Sequence, residues 1–78
     1  MTNEEISQAL GFTIITPYPP HAPYLVKNNL LLRNQHGVID IILRDPVKEC
    51  DKYPQAEHFR IMCRPQTIEQ LETIINCI

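Results

Sequence analysis

Four of the chain's 7 prolines, Pro17, Pro19, Pro20 and Pro23, crowd into one short stretch of a 78-residue sequence. Each fixes its own φ, lacks an amide hydrogen and biases the residue before it toward extended backbone. No helix and no interior strand can run through positions 16–23. The stretch reads as a stiff, low-entropy connector that separates a short N-terminal part from a longer part carrying most of the core.

Ahead of the connector, Thr2 stands three residues before Glu5, the spacing of a capping box, and Glu4 and Glu5 put negative charge at the positive end of a helix dipole. Ile6, Ala9 and Leu10 then share one helical face, and Gly11 is placed to end the helix in a left-handed conformation. The β-branched run Thr13, Ile14, Ile15 reads as a strand or an extended lead-in to the prolines.

Beyond the connector, apolar segments at 24–27 and 30–33 flank Asn28-Asn29, a pair suited to a tight two-residue hairpin turn. A second turn is expected at 34–37, with Gly37 at positive φ, and 38–44 is the clearest strand of the chain. Asp45-Pro46 closes it. Positions 47–55, polar and interrupted by Pro54, read as a loop with at most one helical turn. Polar and apolar residues alternate over 58–63, as in a strand with one buried face, and Pro65 ends it. Thr67 with Gln70 repeats the capping-box spacing, and Ile68, Leu71, Ile74, Ile75 and Ile78 form one stripe behind it. The order predicts a single α+β domain over 1–78, with a small antiparallel sheet of three to four strands and the N-terminal and C-terminal helices packed on one face.

Composition narrows the function classes. Hydrophobic residues make up 44% and charged residues 21%, with a net charge of −2, which suits a folded domain and gives no dominant electrostatic grip on nucleic acid or anionic lipid. The apolar runs at 30–32 and 41–43 are far shorter than the roughly 20 residues of a membrane-spanning helix. The acidic N-terminus does not resemble a secretory signal, so a cytoplasmic chain with reduced Cys50, Cys63 and Cys77 is expected.

His21, His36, His58 and the cysteines are ligand types, but they lack the close pairs that fix a zinc site locally. Cys63 falls in phase with Phe59 and Ile61, which makes it a small core residue. Cys50 lies between Glu49 and Asp51, whose charges raise a thiol pKa and weaken a nucleophile. Neither Gly11 nor Gly37 belongs to a phosphate-binding loop. No catalytic residue, metal ligand or cofactor site is expected, and the chain reads as a non-enzyme.

Residues 3–13, NEEISQALGFT, resemble the first helix and turn of a helix-turn-helix DNA-binding unit. That resemblance implies a recognition helix immediately afterward. Thr13-Ile14-Ile15-Thr16-Pro17 cannot form one, and the basic residues are interleaved with acids.

In strand 38–44, Ile39, Ile41 and Leu43 can face the helices, leaving Val38, Asp40, Ile42 and Arg44 on the other side with His58, Arg60 and Met62. A solvated sheet face is usually more polar, so Val38, Ile42, Arg60 and Met62 are the expected interaction surface. Tyr18 and His21, on the connector, are a second expected contact patch; the prolines there also match the spacing read by SH3 and WW domains. The reading that follows is a non-enzymatic protein–protein interaction domain, a small inhibitor, adaptor or regulator of the kind encoded by phages and mobile elements. Its expected partner is a protein or a second copy of itself, rather than a membrane, nucleic acid or small-molecule substrate. The alternative is a nucleic-acid-associated regulator with a degenerate helix-turn-helix-like N-terminus.

Overall fold

The computed structural model describes residues 1–19, 21–44 and 57–78. The expected closure of a strand by Asp45-Pro46, the loop at 47–55 and Cys50 lie outside these residues, as does Pro20.

The first element, α1 (Asn3–Leu10), starts where the capping box places it: the Thr2 hydroxyl oxygen accepts from the Glu5 N–H at 3.2 Å. It stops at Gly11, whose φ of +77° is left-handed and whose N–H donates to the Ser7 carbonyl at 3.0 Å. A second closure comes from far along the chain, since the Lys27 ammonium donates to the Leu10 carbonyl at 2.7 Å and lies over the Phe12 ring. A cation at a helix C-terminus satisfies an orphan carbonyl and complements the dipole. Ile6 and Leu10 are buried, whereas Ala9 is exposed, so the buried stripe of α1 is narrower than its apolar residues suggest.

Five antiparallel strands follow in chain order: β1 (Thr13–Ile15), β2 (Tyr24–Lys27), β3 (Leu30–Gln35), β4 (Val38–Arg44) and β5 (Glu57–Cys63). This is one strand more than the upper count expected from sequence. The lead-in Thr13, Ile14, Ile15 pairs with β2 in full register, Ile14 opposite Leu25, before the prolines stop it. Asn28 takes φ +53° in the two-residue turn between β2 and β3. Between β3 and β4 the turn contracts to His36 and Gly37, with φ +53° and +78°, the pattern of a type I′ hairpin turn. Strand β3 accordingly extends to Gln35, opposite Val38, where the sequence suggested a longer turn.

The last element, α2 (Ile68–Asn76), is capped as expected: the Thr67 hydroxyl accepts from the Gln70 N–H at 3.2 Å. The Gln70 side chain returns to the Gln66 N–H at 2.8 Å. Of the stripe, Leu71 is fully buried and Ile68, Ile74 and Ile75 pack against the core, while Ile78 is exposed.

Both helices contribute to one core, as the sequence predicts for their common face. Ile6, Leu10 and Leu71 join Phe12, Leu25, Leu32, Ile39 and Ile41. The Asn34 side-chain amide donates to the Met1 carbonyl at 3.1 Å and ties the start of α1 to β3. The core runs along one register row, Ile14–Leu25–Leu32–Ile41, and continues into β5 as Ile61. There the cover ends. Phe59 and Ile61 are exposed, which corrects the expectation that 58–63 has one buried face: the burial of the row stops at β4.

Candidate interaction surface

The expected interaction residues fall on three parts of the fold, with Val38 and Ile42 on β4. Arg60 and Met62 lie on β5, one edge of the strand order. Tyr18 and His21 lie on the connector from β1 to β2.

On the face opposite the helices, register aligns Val26, Leu31, Ile42 and Arg60 in one row and Tyr24, Arg33, Asp40 and Met62 in adjacent positions. Ile42 points to that face as expected, but it is 2% exposed, and Leu31 beside it is buried as well. Ile42 thus contributes little accessible area to the surface expected from sequence. Ile42 sits in an inner strand with Leu31 and Arg60 as its direct cross-strand neighbours. Val38, opposite Gln35 at the start of β4, is half-buried.

Among the strands, β5 carries three exposed large apolar side chains and β1 carries one, Ile15. Met62 is 68% exposed on one face of the strand, and Phe59 and Ile61 are 44% and 36% exposed on the other. Such side chains on both sides of a strand were not legible from alternation alone, which assigns one face to the core by default. Arg60 is paired with Glu57 at 2.9 Å, three residues earlier in the strand, and both are half-exposed. Asp40, opposite both Arg33 and Met62, keeps one buried carboxylate oxygen without a hydrogen-bond partner.

Cys63, at the end of β5, is half-buried, and its thiol donates to the Ile39 carbonyl at 3.5 Å. Burial, with a smaller contribution from the Asp40 carboxylate, raises its pKa, which disfavours the thiolate. Cys77 is exposed. Among the described residues no three His, Cys, Asp or Glu side chains are grouped to hold a metal ion.

The connector forms the rim of a polar cleft in which Pro17, His21 and Pro23 face Tyr24, Arg33 and Gln35. Tyr18 is 90% exposed outside it. After α1 the chain enters strand β1 rather than a second helix, so the NEEISQALGFT segment stands as one helix beside a sheet edge. Among the described residues no helix is long and apolar enough to cross a membrane.

Comparison with protein-family models, with curated proteins and with solved structures finds no match for this chain. Its class is α+β: an open five-stranded antiparallel sheet with two helices.

Proposed function

We propose that this protein is a non-enzymatic, cytoplasmic protein–protein interaction domain, a small inhibitor, adaptor or regulatory protein that binds through the β5 side of its sheet. The observation that carries this reading is the exposure of Phe59, Ile61 and Met62 on both faces of a seven-residue strand at the sheet edge. Among the described residues no strand lies beyond β5, and an edge strand of that length is a template for another strand, with its exposed apolar side chains fitting pockets on the partner. Tyr18, on its proline-stiffened segment, is a second contact point that loses little rotamer entropy on binding.

The test is affinity capture from the native host, with and without nuclease, using wild type and Met62→Lys. The host also carries a differently tagged copy of the chain. A protein partner, either that copy or another chain, should survive nuclease and be weakened by Met62→Lys. Retention of nothing, or loss of everything on nuclease treatment, would contradict the reading.

A further inference from the structure

The two edges of the sheet are unequal. Strand β1 is three residues long and runs into the prolines, which lack the donors a ladder needs. Strand β5 is seven residues long and has no proline or lysine within it. Among the described residues no strand pairs with its outer side. Among the described residues β5 is the long edge strand, and a twofold axis would use that edge once in each copy and leave none for further growth.

We infer that the partner of β5 is β5 of a second copy, paired antiparallel about a twofold axis at Ile61, which joins two sheets into one with all four helices on the same side. This rests on the reading above that β5 is the binding edge, and it names what binds there. Charge selects the second copy and the register. The strand carries Glu57 at its start, and Arg64 follows its end, so antiparallel self-pairing brings an acid near a base at both ends. A twofold at Arg60 would set two guanidiniums directly opposite each other, which is unfavourable. A twofold at Phe59 would set Ile61 against Glu57. With the axis at Ile61, Phe59 meets Cys63 of the second copy, Ile61 meets Ile61, Arg60 meets Met62, and Arg64 comes opposite His58, one position from Glu57. The uncovered end of the row Leu25–Leu32–Ile41–Ile61 then continues into its own copy.

The test exploits Met62, which lies opposite Asp40 in its own chain and opposite Arg60 of the second copy in the dimer. Met62→Lys gains an attractive neighbour within the monomer and a repulsive one across the axis; Met62→Glu does the reverse. By light scattering on the full chain, wild type should be a dimer. Met62→Lys should stay folded by circular dichroism, with a dimer dissociation constant raised about tenfold as two symmetry-related pairs become repulsive. Met62→Glu should hold the dimer at least as well as wild type. In a background with Cys50, Cys63 and Cys77 replaced by Ser, Ile61→Cys should form an intermolecular disulfide under mild oxidation and Arg60→Cys should not, since only directly opposed Cα atoms come within disulfide reach. A wild-type monomer at high concentration, a dimer indifferent to both charges, or cross-linking through Arg60→Cys instead would each overturn the inference. If the wild type is a monomer whose other protein partner is still lost in Met62→Lys, only this inference fails and the binding edge stands.

Discussion

Cys63 shows how one side chain reports its surroundings. Its folded-state pKa is raised, so its contribution to stability is fully present below the ordinary thiol value and is lost as pH rises through the raised one, because only the unfolded chain ionises easily there. Comparing wild type with Cys63→Ala across alkaline pH, the stability advantage of wild type should shrink as pH rises; an advantage that grows would contradict the assigned environment. At neutral pH the exposed Cys77 should react with an alkylating reagent faster than Cys63, read by peptide mass. The sequence suggested a small core residue at Cys63 from its phase with Ile61. What it could not show is that Ile61 itself is uncovered, since that depends on how far the helices reach across the sheet. Lys27 is the clearer case of an illegible residue: nothing in its neighbourhood announces that it caps a helix 17 positions earlier. Lys27→Met is expected to cost about 1–2 kcal/mol in chemical denaturation, since a charged hydrogen bond and a dipole interaction are lost together.

At the scale of elements, local rules carried most of the fold. Both helix starts follow from the Thr-x-x-Glu and Thr-x-x-Gln spacings, and each threonine makes the expected bond. Thr67→Ala should cost about 0.5–2 kcal/mol, and Leu71→Ala, which opens a cavity in the core, about 2–5 kcal/mol. A neutral Leu71→Ala would mean that α2 packs elsewhere. The β3–β4 hairpin is sharper than its composition indicates, because a histidine rather than an asparagine or glycine occupies its first left-handed position. A Cβ at Gly37 would meet no atom within 4 Å, so Gly37→Ala isolates backbone strain at φ +78° and should cost about 1–2 kcal/mol. A smaller loss would mean that the turn relaxes to another type. The fifth strand was ambiguous for a physical reason: three β-branched residues ahead of a proline are extended either way, and only the presence of Leu25 opposite Ile14 makes them a strand.

For the whole molecule, the sheet is asymmetric in its protection. The helices and the row from Leu25 to Ile41 share one buried core, β1 is only three residues long and ends ahead of the prolines, and β5 exposes Phe59 and Ile61 on one face and Met62 on the other. Two of the expected contact residues, Arg60 and Met62, fall on that strand because alternation fixes side-chain direction. Alternation places Ile42 on the expected face, but it does not fix exposure, and Ile42 is only 2% exposed there. His21 lines a cleft with Arg33 and Gln35 of β3, a placement that depends on strand order and that no local pattern encodes. The central claim is that the outer edge of β5 is filled by a second copy. Amide hydrogen exchange of the purified full chain at high and low concentration measures this residue by residue. Protection at successive β5 amides, inner and outer alike, with the outer ones losing it on dilution and in Met62→Lys, is the predicted result. Outer β5 amides that exchange at the rate of an open edge at every concentration would contradict it.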